Sequence, residues 1–425
     1  MFSLVKPIGL LLVGVAFLLL GSGLLNTLIA LRSELEGYNS TMIGAIMSGY
    51  FIGFFVGTYL AMPIINRIGH IRAFAFCAAI VAISVLMHTL MISSITWLMI
   101  RILTGVALVV LYTIIESWLN GQTPAEHRGK VFAIYMTVNL SSLALAQQLL
   151  RLDAQLSFTL FAVATLFICF SVLPVTWTRM QQPEIHHVPR IKLSQLFSAA
   201  PLALVASLFS GLAMGAFWGL SALYASQLGL TNQQIAMFMT SAILGGALLQ
   251  FPIGRYSDNH DRGFVITAIS ISAALVAMMA AVTAAHHGFF YLLIAIYGGL
   301  AFAIYPLAIA HMVDHLEPEN MLGGGSNMLL LHGVGAMIGP VFAGKIMQLT
   351  GPASLPIYWA VVHALIASYA FYSMKKMTSN PGAEHGAEFV PMVRTTPTAL
   401  EMLPADEYAD HEDESEAMWS GTDNH

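Results

Sequence analysis

The sequence predicts an all-α membrane protein in which twelve transmembrane helices form two pseudo-symmetric bundles of six. Of its 425 residues, 57% are hydrophobic and only 9% are charged, whereas soluble domains carry about 25% charged residues. A surface with so few charges requires lipid rather than water around most of the chain. Two further observations support this fold class: twelve apolar stretches of membrane-spanning length, and loop motifs that recur in the second half of the chain.

Each apolar stretch is long enough for one helix, because a bilayer core about 30 Å thick takes about 20 residues to cross. The predicted spans cover residues 7–31, 42–65, 71–93, 95–120, 129–150, 155–178, 200–227, 232–256, 263–285, 288–313, 322–348 and 353–374. A polar stretch separates the sixth span from the seventh. We therefore predict an N-terminal six-helix bundle at 1–178, a cytoplasmic linker at 179–199 and a C-terminal six-helix bundle at 200–376.

The distribution of charge predicts the orientation of the helices. Most lysines and arginines follow spans two, four, six, eight and twelve, and basic connections stay in the cytoplasm. Both termini are therefore expected there. Residues 377–425 contain eleven acids, four prolines and a single base, Arg394, so we expect an acidic, disordered and solvated cytoplasmic tail.

Loop motifs repeat at a nearly constant distance, which indicates a duplicated half. A shift of 192 residues places Asn66 on Asp258 and Gly53 on Gly245. Glycines also recur at spacings of four in spans two and seven. Such stripes allow either sliding between the two halves or static close packing, and the sequence leaves both interpretations open.

The repeated loop resembles a signature of the major facilitator superfamily. In the first copy Asn66 replaces the acid of that signature, whereas the second copy keeps it as Asp258. The resemblance implies a gate at the cytoplasmic surface, in which Asp258 pairs with Arg255 or Arg262. The predicted gate residues are Asn66, Arg67, Gly69, Arg72, Arg128, Gly254, Asp258 and Arg262.

Motifs within the spans carry the same resemblance. Two of them are Arg101-x-x-x-Gly105 and Gly335-x-x-x-Gly339-Pro340. Their combination with Glu116-Ser117-Trp118-Leu119-Asn120 and Gly245-Gly246-Ala247-Leu248-Leu249-Gln250 is similar to the bacterial YcaD-like permeases. The likeness extends over all twelve spans but not over the tail. It implies a secondary transporter of the bacterial inner membrane and indicates no substrate.

Span four places two charged residues inside the membrane, where polar groups generally face the bundle interior. Arg101 and Glu116 lie on one helical face but about 22 Å apart, too far to pair. The resemblance implies that Arg101 couples protons, and the alternative is an arginine that a polar partner holds for packing. Glu116 is either a titrating carboxylate or a gate partner of Arg67, Arg72 or Arg128, and the second interpretation is favoured.

Amide and aromatic groups within the spans are candidates for a central cavity that holds an uncharged or weakly charged organic molecule. The alternative for each is packing or interhelical hydrogen bonding. With Arg101 and Glu116, the candidates for substrate binding or coupling are Asn26, Tyr112, Asn139, Gln147, Trp218, Gln250, Tyr305, Asn327 and His332.

The sequence favours a monomeric secondary active transporter that moves a small organic solute by alternating access, with protons as the driving ion. A passive facilitator and a non-transporting receptor or scaffold of the same fold stay open. We expect no enzyme, because no clustered catalytic groups occur in the spans. No metal, cofactor or nucleic-acid partner is expected, since the sequence contains neither a metal-ligand cluster, a phosphate-binding glycine loop nor a basic aromatic face.

Overall fold

The computed structural model describes residues 2–177, 191–283 and 287–377, together with Phe389, Pro391, Met392 and Thr396 of the tail. All long regular elements in these ranges are α-helices. They are α1 (Phe2–Leu35), α2 (Ser40–Ile68), α3 (His70–Leu90), α4 (Ser94–Gln122), α5 (Arg128–Gln148), α6 (Phe158–Trp177), α7 (Leu193–Ala199), α8 (Pro201–Gln227), α9 (Asn232–Ser257), α10 (Arg262–Thr283), α11 (His287–Val313), α12 (Pro318–Thr350) and α13 (Ser354–Met377).

Within the described ranges, twelve of these helices are long and apolar enough to cross a bilayer. This confirms the predicted fold class, with spans seven to twelve as α8 to α13. The remaining helix, the short α7, lies inside the predicted linker, whose residues 179–190 lie outside the described ranges.

Short polar residues and glycines begin and end the helices. The side chain of Asn39 caps α2 by accepting a hydrogen bond from the backbone N–H of Met42. Thr231 caps α9 in the same way, through the N–H of Gln234, and both caps satisfy a donor that the first turn leaves unpaired. Gly69 has a φ of +80°, a conformation that glycine adopts without strain. The chain therefore turns directly from α2 into α3.

The two halves have the same internal packing, helix for helix. In the first half α1 packs on α5 and α6, α2 on α4, and α3 on α4 and α6. In the second half α8 packs on α12 and α13, α9 on α11, and α10 on α11 and α13. Each of these contacts in one half thus has its counterpart seven helices later, as a duplicated six-helix unit requires.

Glycines at equivalent positions let the equivalent helices cross. A Cβ atom on Gly53 would lie 1.9 Å from the carbonyl oxygen of Ile102 in α4. A Cβ atom on Gly245 would lie 1.8 Å from the carbonyl oxygen of Ala295 in α11. Because no other residue fits so close to a neighbouring backbone, the shift of 192 residues relates two structurally identical crossings.

Most glycines of the stripes in spans two and seven serve close packing within their own half, whereas Gly219 also faces Met47 of the other half. Gly53 and Gly57 face α4, while Gly211 and Gly215 face the backbone of α12 at His332 and Ala336. At these four positions the sliding interpretation is therefore wrong, since the facing helix belongs to the same bundle.

We call the end of the bundle at which α2, α4 and α13 terminate the tail face, and the other end the opposite face. The halves meet at the opposite face through α2 with α12 and α5 with α9. There a Cβ atom on Gly44 would lie 2.2 Å from the carbonyl oxygen of Pro340. The amide of Gln148 donates to the hydroxyl of Thr240 at 2.5 Å. The halves are therefore closed on each other at the opposite face.

The α9–α11 crossing gives a direct test of this packing. A Gly245→Ala variant places a methyl group against the carbonyl of Ala295, and overpacking of this kind costs about 1–3 kcal/mol. We expect a lower apparent melting temperature in detergent, and the same from Gly53→Ala. Gly9 has no atom within 4 Å of an added Cβ, so Gly9→Ala is the matched control and should melt like the parent. Equal melting of all four proteins would disprove the crossings.

Candidate functional site

A cavity of about 120 Å³ lies between the two halves. The residues that line it come from α1, α2, α8, α11 and α12, and one comes from the tail. They are Asn26, Tyr50, Phe51, Phe54, Met214, Gly215, Trp218, Ala301, Phe302, Tyr305, Leu329, His332, Gly333, Ala336 and Met392. The structure thus brings four of the predicted site residues together here: Asn26, Trp218, Tyr305 and His332.

The described lining is aromatic and contains no acid, lysine or arginine. Its polar groups are few and concentrated on two sides. On one side the rings of Tyr305 and His332 lie 4.4 Å apart between centroids, and Nδ1 of His332 is hydrogen-bonded to the hydroxyl of Ser210 at 3.1 Å. On the other side is the amide of Asn26. A cavity of this kind suits an uncharged molecule with an apolar surface and a few hydrogen-bonding groups.

Arg101 lies directly behind the cavity wall and is only 1% exposed. Its guanidinium donates to Oδ1 of Asn26 at 2.7 Å and lies 5.0 Å from the ring centre of Tyr50. Nδ2 of Asn26 in turn donates to the backbone carbonyl of Trp218 at 2.8 Å. A continuous chain of hydrogen bonds therefore runs from α4 through α1 to α8, across the boundary between the halves.

Glu116 is fully buried toward the tail face of α4. Its carboxylate accepts a hydrogen bond from the hydroxyl of Tyr135 at 3.3 Å. It also accepts the backbone N–H of Thr396 at 3.0 Å and the Thr396 hydroxyl. The predicted ion pair of Glu116 with an arginine of the gate stays a prediction, and the described partners belong to α5 and to the tail.

The other predicted cavity residues lie outside the lining. Tyr112 is buried beside Phe54, with ring centres 6.4 Å apart, and Asn139 is buried in α5. Gln147 accepts from the hydroxyl of Thr27 at 2.7 Å and so joins α5 to α1. Their direct contact with a substrate stays a prediction.

Two further amides flank the tail face. Asn327 donates to the backbone carbonyl of Ile191 at 2.9 Å, which attaches the linker to α12. Gln250 is 1% exposed, and neither end of its amide has a hydrogen-bond partner among the described residues. It lies one turn from Gly246 and one turn from Gly254 on the same face of α9, which faces the interior. A buried amide without a partner is costly, so Gln250 is available to a ligand or water.

The predicted gate of the second half forms an ion-pair cluster at the tail face. Arg262 lies 3.4 Å from Oδ1 of Asp258 and 2.7 Å from Oδ2 of Asp314. Asp314 was not among the predicted gate residues. Its position directly after span ten is the feature of the sequence that could have identified it. In the first half, Asn66, Arg67 and Arg72 are exposed, whereas Arg128 is half-buried where α5 begins. Their function as a gate stays a prediction.

The expectation of a solvated tail does not hold for the tail residues that the structure describes. Met392 is 5% exposed and Thr396 is 1% exposed, and Phe389 and Pro391 are half-buried. The sequence signal that was missed is an apolar run, Phe389-Val390-Pro391-Met392-Val393, within an otherwise polar tail. An apolar run gains free energy when it leaves water for an apolar cavity.

The hydrogen-bond chain behind the cavity predicts the effect of removing Asn26. An Asn26→Ala variant removes an acceptor of a buried guanidinium, and hydrogen bonds to charged groups contribute about 1.5–3 kcal/mol. We expect a lower melting temperature, and a smaller decrease in Asn26→Asp because an acceptor remains. Ser22, on the same helix, is a matched control because its buried hydroxyl has no partner among the described residues. If Ser22→Ala and Asn26→Ala melt alike, the chain of bonds does not stabilise the bundle.

The sequence matches the family model described as Major Facilitator Superfamily at residues 11–231 and 203–400. Among curated relatives, the MFS-type transporter YcaD of Escherichia coli O7:K1 (strain IAI39 / ExPEC) is 30% identical over 387 residues. That alignment covers 90% of this chain and 98% of the relative. The YcaD protein of Shigella flexneri matches with the same identity and coverage.

Solved transporter structures have the same fold. The nucleoside transporter NupG superimposes with a TM-score of 0.69 at 15% identity, over 88% of this chain and 99% of that one. A bacterial homologue of the human lysosomal transporter Spinster, in an inward-facing and unoccupied conformation, gives a TM-score of 0.69 at 14% identity, over 89% and 99%. The D-xylose–proton symporter gives 0.67 at 13% identity, over 85% and 96%.

At identities this low the superpositions establish the fold alone, and the function of each solved structure stays with that protein. The family model and the relative at 30% identity carry the assignment further. They show that this chain belongs to the Major Facilitator Superfamily, as a multi-pass membrane transporter and not an enzyme.

Proposed function

We propose that the protein is a secondary active transporter that carries a small uncharged organic solute with an apolar or aromatic portion, driven by protons. It operates by alternating access in the bacterial inner membrane, with the tail face in the cytoplasm. The observation that carries this proposal is the cavity between the halves, with its aromatic walls and its few polar groups.

The composition of the cavity wall supports the proposed substrate class. Because the described lining contains no acid, lysine or arginine, a charged solute would lose its hydration without gaining an opposite charge. Asn26, Tyr305 and His332 offer hydrogen bonds, while Trp218 and Phe302 offer flat apolar surfaces. The nucleoside transporter and the D-xylose symporter among the similar structures carry uncharged solutes by their names, and of these two solutes only a nucleoside has the aromatic portion of the proposed class.

Proton coupling is supported by a carboxyl group inside the bundle. Glu116 is fully buried in α4, and a buried carboxylate is costly unless it is hydrogen-bonded or protonated. Its described partners include the Thr396 backbone N–H and hydroxyl, which are donors from a segment outside the helices. When that segment leaves, the buried carboxylate loses these donors and needs another partner or a proton in their place. Glu116 is therefore the proposed proton-binding residue. Arg101 is proposed to link this site to the cavity wall through its hydrogen bond to Asn26.

Alternating access requires two sets of contacts between the halves, one at each face, of which one is formed while the other is broken. In this structure the formed set lies at the opposite face, where α2 meets α12 and α5 meets α9. At the tail face the cluster of Arg262, Asp258 and Asp314 lies within the second half, where it is available to the first half when the tail face closes. Rocking of one half against the other about the cavity then exposes the solute to each side in turn.

Reconstitution into proteoliposomes that contain a pH-sensitive dye tests the proton coupling. Addition of a coupled solute, drawn from a panel of neutral nucleosides, is expected to produce proton movement that follows the imposed gradient. A Glu116→Gln variant should abolish proton movement while solute exchange continues, since the amide is isosteric but does not titrate in this range. Glu36→Gln is the matched control, because Glu36 pairs with Arg32 at the opposite face and away from the cavity.

Three results would contradict this proposal. Solute uptake by the parent protein that does not depend on the imposed pH gradient would indicate a passive facilitator. Proton movement that persists in Glu116→Gln would exclude Glu116 as the proton site. If the parent protein binds no solute in the panel and moves none, the receptor or scaffold interpretation gains support.

Reporter fusions test the proposed orientation. A reporter that is active only in the cytoplasm, fused after His425 or after the chain is ended at Met377, is expected to be active at both sites. The same reporter fused after Gly37, at the opposite face, is expected to be inactive. The reverse pattern would place the tail face outside and overturn the orientation.

A further inference from the structure

The C-terminal tail of this chain enters the transport bundle from the tail face. Met392 and Thr396 are both buried, at 5% and 1% exposure. Neither belongs to a helix, and eleven residues lie between Met377, where α13 ends, and Phe389. We name Phe389, Pro391, Met392 and Thr396 together the tail plug.

The first anchor of the tail plug lies on the second half of the bundle. The backbone N–H of Phe389 donates to Oδ1 of Asp258 at 2.9 Å. The ring of Phe389 covers Gly254, where an added Cβ atom would lie 2.0 Å from ring carbon Cδ1. The three atoms nearest to that Cβ position all belong to Phe389. The ring of Phe389 thus packs directly on the backbone of α9 at Gly254.

The second anchor lies on the first half. The backbone N–H and the hydroxyl of Thr396 both donate to the buried carboxylate of Glu116 in α4. Seven residues of extended chain span at most about 24 Å, which is enough to connect α9 to α4 across the cleft. The described tail residues therefore bond to both halves at the tail face.

Between the two anchors, Met392 occupies the cavity. It is the one tail residue in the described lining, beside aromatic residues of both halves and His332. A thioether side chain is flexible and apolar and packs well against aromatic rings. Met392 thus fills a part of the cavity that an apolar portion of a solute would fill, and the volume of about 120 Å³ is what remains beside it.

We propose that the tail plug is a built-in inhibitor of this transporter. It closes the cavity at the tail face by occupying the entrance and holds the two halves together by bonding to each. A solute enters from the tail face only after the plug has left, and the halves rock only after the bonds to Asp258 and Glu116 have broken. Release requires no helix to unfold, since the anchors are three bonds, one ring contact and one buried side chain.

The position of the acids in the tail agrees with this assignment. Nine of the eleven acids in residues 377–425 follow Thr396, and only Glu384 and Glu388 precede the plug. The segment between Phe389 and Thr396 contains no acid, so that no carboxylate has to enter the aromatic cavity or approach Glu116. An acidic segment at this place would be repelled from a buried carboxylate.

Accessibility of a single cysteine in the cavity tests the plug without any transport. Leu329→Cys, in a chain that also carries Cys77→Ala and Cys169→Ala, places a thiol in the described lining. The probe is a charged, membrane-impermeant methanethiosulfonate applied to the purified protein. Labelling rates are compared among the full chain, a chain ended at Thr396 and a chain ended at Met377.

We expect the chain ended at Met377 to react at least about tenfold faster than the full chain, because the rate follows the fraction of molecules in the open state. The chain ended at Thr396 keeps the plug and loses nine acids, so it should react like the full chain. Ile92→Cys, which is 54% exposed at the opposite face, should react equally in all three and reports an intact fold. Equal labelling of Leu329→Cys in the three chains would overturn the proposal.

A point variant in the full chain keeps the test decisive if the shortened chain fails to fold. Met392→Glu puts a carboxylate into the aromatic cavity and should raise the labelling rate of Leu329→Cys toward that of an open cavity. Met392→Leu preserves an apolar side chain of similar volume and should leave the rate low. If both variants label at the rate of the parent, the side chain does not close the cavity and the plug is disproved.

The inhibition of solute entry rests on the transport function proposed above, whereas the labelling rate does not. Faster labelling of the chain ended at Met377, together with no movement of any solute, would keep the plug and reject the transport proposal. Transport that is gradient-driven and equally fast in the full chain and the chain ended at Met377, with equal labelling, would keep the transport proposal and reject the plug.

Discussion

The hydrocarbon core of a bilayer contains no water to bond to backbone N–H and C=O groups. Each peptide must therefore find its partner within its own segment, which only a helix provides for a single span. This constraint produces the twelve long helices of the structure and decides where the chain can depart from them. Short caps such as Asn39 and the left-handed Gly69 lie at the ends of the spans, where the chain leaves the core.

Once the backbone is satisfied, close approach of helices depends on residues without side chains. Lipid tails are as apolar as leucine, so burial of apolar surface alone does not hold two spans together. Gly53 and Gly245 bring their helices into backbone contact at equivalent crossings of the two halves. Duplication of the sequence thus has a physical consequence: two bundles with the same main helix contacts face each other across a cleft.

Polar groups inside the two bundles then hold the bundles against each other. Arg101 and Asn26 connect the halves behind the cavity through the carbonyl of Trp218. Arg262 joins two acids within the second half, and the tail plug joins Asp258 to Glu116 across the tail face. The structure is therefore a state in which the opposite face is closed by helices and the tail face is held by the chain's own C-terminal segment.

The sequence by itself determined the fold class, the number of spans, the duplication and the family, because these follow from local composition and from fixed spacings. It also identified Asn26, Trp218, Tyr305 and His332 as cavity residues, since polar and aromatic groups on apolar helices face inward. Only the tertiary structure decided that Gln147 joins α5 to α1 and that Asn327 joins α12 to the linker, because hydrogen-bond partners more than 100 residues apart leave no local pattern. The same holds for the tail: its average composition predicts solvation, whereas the burial of Met392 and Thr396 depends on a cavity built by helices far away in the chain.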